Sequence, residues 1–350
     1  MQFCAFVMKG ITEFYPLLDK PAKVVITMHQ KPDGDAMGST LGLYHFLRKL
    51  GHSVTVVSPT NWAGFLNWLP GCDSVIDFEK EKARAGKVIL DAEIIFCLDF
   101  NVLYRTKNME PVLSEAKCIK VLIDHHEQPQ TEAFDYGISN VHKSSTCEMV
   151  YDFIIESGRS QDLDLDIAAC LYTGMMTDTG SFRFPSTTAS VHQAIAHFKE
   201  LGLKHSPIHE NIYDDFLENR LRFLGNVLLN RMEVFYIYNT AMIAIPQSDL
   251  VKFDIQTGDT EGVVNYLLSM KGIKFGALVI DRGEERKWSF RSKGSFDVNV
   301  FARKHFNGGG HANAAGGNSP ASLAENVASF KEVIKEYAVE LSKEYIPGVN

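Results

Sequence analysis

Val121-Leu122-Ile123-Asp124-His125-His126 is the stretch on which the fold turns. Its front half, with Ile119 just before it, is apolar and β-branched, the composition of a buried strand. Its back half is an acid and two imidazoles. Three such side chains at the end of a buried strand need partners. In an open α/β sheet that end is where ligands sit. The plain alternative is a hydrogen-bonded turn. Other parts of the chain decide between the two, because further apolar runs end in the same way.

Upstream, residues 24–28 form a strand that runs into His29-Gln30-Lys31-Pro32-Asp33-Gly34-Asp35, where Pro32 and Gly34 force an irregular loop. A helix follows through Leu41, Tyr44 and Leu47. Residues 54–57 and 94–98 are two more strands, the second ending in Asp99. Downstream, Ser144-Ser145-Thr146 heads a helix through Met149, Val150, Phe153 and Ile154. Its hydroxyls read as caps, or as a phosphate cradle at the helix N-terminus. An apolar helix over 167–176 leads into Thr177-Asp178-Thr179-Gly180, with a short strand expected over 182–184. Strands alternating with helices predict an α/β domain around a doubly wound parallel sheet.

The pattern then changes. Residues 216–230 read as a helical connector. Beyond it come a hairpin over 234–245, a helix over 262–270 and a second hairpin over 275–291. A short helix over 298–305, a glycine-rich loop over 307–317 and a final helix over 321–342 follow. The expectation is a catalytic domain over 1–215 and a smaller α+β domain over 231–350, with a cleft between.

Composition fits two globular domains: 350 residues, 45% hydrophobic and 22% charged. A net charge of -8 excludes a general nucleic-acid binder. From Lys271 to His311, however, nine Lys/Arg face four acids, which suits an anionic ligand. Six scattered cysteines without a C-x-x-C pair read as reduced thiols of a cytoplasmic protein. No apolar run approaches about 18 residues and no leader pattern opens the chain, so no membrane partner is expected.

The polar ends are His29, Asp33, Asp35, Asp99, Asp124, His125, His126 and Asp178. Parallel strands carry such ends to one edge, where crowded carboxylates repel and take up protons. Divalent cations remove that cost, and mixed carboxylate and imidazole donors suit Mn, Fe, Co or Zn better than Ca. Two ions about 3.5–4 Å apart are a standard means of cleaving phosphoesters.

At these residues the chain resembles the DHH–DHHA1 phosphoesterases, and within them the short oligoribonuclease and pAp phosphatase branch often called nanoRNases. Residues 29–39 resemble the family's first motif and Leu98-Asp99-Phe100-Asn101 its second. Asp124-His125-His126 is the signature that names it. Thr177-Asp178-Thr179-Gly180 resembles the fourth, and Gly308-Gly309-Gly310-His311 the DHHA1 signature. The resemblance implies two metal ions, Mn first, with Mg, Co or Fe as substitutes. His29 and Asp33 would hold one, Asp35, His125 and Asp178 the other, and Asp99 both. Asp124 would orient an imidazole, and His126 would face the scissile phosphate as donor or acid. Arg105 is a phosphate contact or a surface arginine.

In the second domain, bare glycine N–H groups can form an anion-binding nest. Gly308, Gly309, Gly310 and His311, with Arg291 and Ser292, are the expected substrate contacts. The expected activity is hydrolysis of short single-stranded RNA to mononucleotides and of pAp (3'-phosphoadenosine 5'-phosphate) to AMP, by two-metal activation of water. The alternatives are action on cyclic dinucleotides or polyphosphate, and a non-catalytic nucleotide-binding regulator. Long single strands are argued against for want of a stacking platform, no long duplex nucleic acid is expected as a partner, and a homodimer is left open.

Overall fold

The computed structural model describes residues 8–342, which divide into two compact units at Asp215 and Phe216. Cys4 lies outside the described residues, and the five described cysteines are free thiols.

The first unit is built on a seven-stranded parallel sheet in the order β1-β7-β6-β5-β2-β3-β4. The strands are β1 (Lys9–Gly10), β2 (Lys23–Thr27), β3 (Ser53–Ser58), β4 (Ile76–Asp77), β5 (Ile94–Leu98), β6 (Ile119–Asp124) and β7 (Tyr136–Ser139). The central strands are apolar throughout because both faces are covered. Ile26, Phe96, Leu98, Val121 and Ile123 bury against α1 (Gly34–Lys49), α4 (Thr146–Glu156) and α5 (Leu165–Asp178). Val25, Ile95, Cys97 and Leu122 bury against α2 (Lys82–Leu90) and α3 (Glu110–Glu115). The chain builds outward from β2 toward β4 on one side and from β5 toward β7 on the other. The order therefore reverses between β2 and β5, and ligands of open α/β sheets bind outside the strand ends at such a point. Helices α6 (Ala189–Glu200) and α7 (Ser206–His209) complete the unit.

Two local expectations change. Asp35 is not in a loop. Asp33 caps α1, its Oδ1 accepting from the N–H groups of Asp35 and Ala36, so Asp35 sits in the first helical turn. The strand expected at 182–184 is a turn. Gly180, Ser181 and Phe182 all have positive φ (56°, 60° and 62°). Thr179 captures the following amides: Phe182 N–H donates to its Oγ1 at 3.0 Å, and Arg183 and Phe184 N–H to its carbonyl at 2.9 and 3.0 Å.

The second unit holds a mixed six-stranded sheet in the order β12-β13-β11-β10-β9-β8. Its strands are β8 (Met232–Phe235), β9 (Thr240–Ile245), β10 (Phe275–Asp281), β11 (Arg286–Ser292), β12 (Gly309–His311) and β13 (Ala314–Ser319). Only the β9–β10 pair is parallel among the described pairings. Helix α8 (Glu218–Asn230) buries Phe223 and Val227 on one face of this sheet, beside Leu267, so it belongs to the core of this unit. The helix expected over 262–270 shrinks to α10 (Asn265–Leu268), after α9 (Gln247–Lys252). On the opposite face α11 (Val298–His305) and α12 (Leu323–Glu336) cover Trp288, Phe290 and Phe275. The last helix breaks at Tyr337 before α13 (Ala338–Ser342). No helix among the described residues is long and apolar enough to cross a membrane.

Candidate metal centre

Asp99 follows β5 directly, in the left-handed region (φ 63°) that an aspartate tolerates and most residues avoid. The bend delivers its two carboxylate oxygens to different neighbours. Oδ2 lies 3.3 Å from His29 Nε2, just beyond β2. Oδ1 lies 3.4 Å from His125 Nε2, just beyond β6. Asp33 Oδ2 approaches the same nitrogen of His29 at 3.8 Å. Asp178 Oδ2 and Asp35 Oδ2 approach that of His125 at 3.4 and 3.8 Å. Two sets of donors result, His29–Asp33–Asp99 and Asp35–Asp99–His125, each with its ligand atoms mutually within 4.8 Å. They share one carboxylate, and Asp178 joins the second through His125.

Both imidazoles present the same edge to the acids. His29 Nδ1 lies 2.8 Å from the carbonyl of Gln30, and His125 Nδ1 lies 3.4 Å from that of Lys143. A carbonyl accepts only, so the proton belongs on Nδ1 and the lone pair of the neutral ring on Nε2. That is how a metal-binding histidine is usually oriented.

The charges are unbalanced. Burial, with Asp99 close by, pushes Asp35 up to about 7. Burial and the neighbouring Asp35 and Asp33 drive Asp178 well above the usual carboxylate range. Asp99 goes the other way: burial opposes its charge, but hydrogen bonds from His125 and His29 hold it well below its ordinary value. Burial disfavours the charged forms of His125 and His29, yet their bonds to Asp99 raise both, His125 strongly. The fold thus favours taking up protons on His125 and among the acids. Convergent lone pairs and oxygens of this kind fit divalent cations.

Asp124 is fully buried at the end of β6 and bonds to His126, with ligand atoms of Asp99, Asp124 and His126 mutually within 4.8 Å. Its Oδ1 is 2.7 Å from His126 Nδ1, and its Oδ2 accepts the His126 N–H at 3.0 Å. Burial lowers the proton affinity of His126, and Arg105 adds to the effect. With Nδ1–H held on Asp124, the neutral ring carries its lone pair on Nε2. Arg105 is at the centre: its carbonyl accepts the Gln30 N–H at 2.9 Å, and its charge bears on both His29 and His126.

The Ser144–Thr146 stretch has a different job from a phosphate cradle. Ser145 caps α4, accepting the Glu148 N–H. The next two N–H groups, of Thr146 and Cys147, donate to Asp35 at 2.6 and 2.8 Å. Thr146 Oγ1 donates to Asp99 Oδ1 at 3.1 Å. The anion at this helix N-terminus is therefore supplied by the chain itself. The sequence offers Thr146 only as a cap or phosphate contact and does not offer Cys147; the hydroxyls signal a helix N-terminus, and only the fold reveals what it holds. Tight packing makes the meeting possible. A Cβ on Gly174 of α5 would run into Cys147 Sγ and lie 2.8 Å from Asp35 Oδ1.

In the second unit the expected glycine nest is the edge strand β12 paired to β13. The Gly308 N–H donates to the Ala302 carbonyl at 3.2 Å and the Gly310 N–H to Asn299 Oδ1 at 3.0 Å, so neither amide is left for an anion nest. The glycines serve close packing. A Cβ on Gly308 would collide with the Gly316 carbonyl, and Gly310 has φ 151° with the Ala314 carbonyl 2.5 Å from where its Cβ would be. Ser292 is buried, donating to the Phe296 carbonyl at 2.6 Å and accepting from Asn313 at 2.8 Å, which gives its hydroxyl a structural role. Arg291 lies on β11 opposite Ala314, which pairs with His311 of β12.

Comparison with known proteins agrees with this division. The family described as "DHH family, N-terminal domain" matches residues 23–175, and the DHHA1 domain matches residues 234–340. A Bacillus subtilis protein named bifunctional oligoribonuclease and PAP phosphatase NrnA is 28% identical over 84% of this chain and 88% of its own. Its namesake from Thermus thermophilus is also 28% identical, over 88% of this chain and 87% of its own. The crystal structure of an exopolyphosphatase-related protein from Bacteroides fragilis superposes with a TM-score of 0.90 at 38% identity, covering 95% of this chain and 97% of that one.

Proposed function

Because the chain belongs to the DHH family and carries a DHHA1 domain, we propose that it is a phosphoesterase dependent on divalent metal, manganese first. Its substrates are short oligoribonucleotides, cut to mononucleotides, and pAp, converted to AMP, in the cytoplasm. The observation that carries this reading is the sharing of Asp99 between two sets of donors whose imidazoles both turn Nε2 inward. His29 and Asp33 would hold one cation, Asp35, His125 and Asp178 the other, and Asp99 both. The chemistry a bound cation pair supplies is activation of water at neutral pH and neutralisation of phosphoryl charge.

The remaining residues act around that pair. Asp124 holds the Nδ1 side of His126 and leaves Nε2 for the scissile phosphate, where the protonated ring would act as donor or acid toward the departing oxygen. Arg105 contributes a guanidinium for a phosphoryl oxygen. In the second unit Arg291 and His311, on the two strands that flank β13 in a basic segment, take the non-reacting end of the nucleotide, with Gly308, Gly309 and Gly310 as the floor beside them. The two bifunctional relatives carry both activities in their names, which supports the choice of substrates.

The Bacteroides relative favours a second reading, hydrolysis of polyphosphate. One experiment separates them. The manganese-loaded protein is offered pAp, pApA and polyphosphate side by side, with a chelator control. Release of AMP from the first two, abolished by chelation, is expected. Turnover of polyphosphate alone supports the second reading. Manganese bound without turnover of any of them leaves a nucleotide-binding regulator.

A further inference from the structure

Segment 143–147 touches three of the residues assigned to cations. The Lys143 carbonyl faces His125 Nδ1 at 3.4 Å. Thr146 and Cys147 N–H donate to Asp35, and Thr146 Oγ1 donates to Asp99. This segment is a loop and the first residues of a helix, and such a stretch does not hold two acids and a ring to a few tenths of an ångström unaided. Its anchor is Glu148, which is 1% exposed.

Glu148 accepts four hydrogen bonds: from Lys143 Nζ at 2.9 Å, Ser144 N–H and Oγ both at 2.8 Å, and Ser190 Oγ of α6 at 2.6 Å. Lys143 is pinned a second time by Asp152 at 2.6 Å. Burial works against the charge of Glu148, but the bonds from Lys143, Ser190 and Ser144 outweigh it and keep the group ionised. Burying a carboxylate is costly even when it is satisfied, and an apolar side chain would fill the space more cheaply. Capping does not require it either, because Ser145 already caps α4. What the acid alone does is fix two consecutive residues, Lys143 by its side chain and Ser144 by both its N–H and its hydroxyl, immediately before the amides that hold Asp35.

We propose that Glu148 is a positioning residue of the metal centre: by clamping Lys143 and Ser144 it fixes the proton of His125 on Nδ1 and the aim of Asp35, and so the affinity of the Asp35–His125 cation site. This rests on the preceding reading that those residues hold a cation. Its effect is weighted to that site, because the segment touches His125, Asp35 and the Oδ1 of Asp99 that faces His125, but neither His29, Asp33 nor the Asp99 Oδ2 that faces His29 among the described contacts.

The test uses Glu148→Gln, which keeps shape and one acceptor oxygen. Three quantities are measured on the full chain: thermal unfolding, manganese uptake by calorimetry, and the side-chain nitrogen resonances of metal-free His125 at about pH 9, where the ring is driven toward its neutral form. The expected result is near-normal unfolding, one manganese site weakened roughly tenfold or more with the other unchanged, and His125 shifted from the Nδ1–H form to a mixture of tautomers. Unchanged uptake and unchanged His125 resonances overturn the proposal, as does equal weakening of both sites. Should Glu148→Gln fail to fold, Lys143→Met replaces it, leaving the acid three of its four donors. It is expected to weaken the same single site by less, and equal loss at both overturns the proposal. If the unaltered protein takes up no manganese, the cation reading fails by itself. The His125 resonances still decide the role of Glu148: a mixture in the variant supports it, and a retained Nδ1–H form overturns it.

Discussion

The edges of the two sheets solve opposite problems. At the carboxyl edge of the first sheet, Asp35, Asp99 and His125 are buried within a few ångströms of each other, and their proton affinities are pushed apart. At the outer edge of the second, Gly308 and Gly310 are packed against the neighbouring strand with their amides satisfied inside the unit. The first edge favours added positive charge, since burial and crowding raise the proton affinity of Asp35 and Asp178, and the neighbouring acids raise that of His125. At the second the amides of Gly308 and Gly310 are already taken, so a ligand there is left to the remaining groups, side chains such as Arg291 and His311 among them. A polar cluster and a glycine run look equally like binding sites in a sequence, and only the account of each donor and acceptor separates them.

The sharpest way to break the first half of the contrast is Asp99→Asn. If one carboxylate serves both donor sets, its loss weakens both manganese sites together, and activity falls by about three orders of magnitude or more. Asp178→Asn, by contrast, should weaken one site. Calorimetry of manganese binding beside the pAp assay reads both. A metal-loaded Asp99→Asn protein with one intact high-affinity site would show that the two sets are independent.

Metal removal comes next in size. A ligand at 100 times its Kd stabilises by about 2.7 kcal/mol, so chelation should lower the Tm of the first unit by several degrees. The pH dependence follows from the proton affinities. Asp35 and Asp178 are raised in the fold, as are His29 and His125, so the metal-free folded state holds more protons than the unfolded chain. Metal-free stability therefore falls as pH climbs from about 4 through 7 and beyond. Asp99 is lowered, and its contribution is lost only in acid below the ordinary carboxylate range. Cations compete with the same protons, so their binding strengthens over that interval. The Tm gap between loaded and chelated protein should widen from pH 5 to pH 8. A gap that narrows would mean the raised groups are not where the metal binds.

What a sequence can reveal here depends on range. The strands ending at His29, Asp99 and Asp124 are legible because each is a short apolar run halted by residues with chemistry, and parallel pairing carries such ends to one place. The amides of Thr146 and Cys147 are not, because a backbone N–H has no residue type and its partner Asp35 is more than a hundred positions away. Glu148 is hidden likewise: an acid in the first turn of a helix reads as a favourable dipole partner, and its hold on Ser190 exists only in the fold. The stretch at 182–184 misleads differently. Its alternating Phe-Arg-Phe imitates a strand, while the capture of three amides by Thr179 makes it a turn.

The second half of the contrast can be broken by two neighbouring glycines. A Cβ at Gly308 would strike the Gly316 carbonyl and lie 2.7 Å from Gly317 Cα, both backbone atoms that cannot swing aside. At Gly309 the nearest atoms, Asn299 Oδ1 and Arg303 Cζ, are 3.5 and 3.6 Å away, which is ordinary contact. Gly308→Ala should therefore cost about 2 kcal/mol in the second unit, and Gly309→Ala less than about 0.5 kcal/mol, read from denaturant unfolding. Equal costs would mean that packing does not explain the glycines. If Gly309→Ala keeps its stability while KM for pAp rises and kcat holds, the substrate lies against the strand at Gly309, and the floor serves both packing and binding. If KM is also unchanged, the glycines are structural and recognition belongs to the side chains around them.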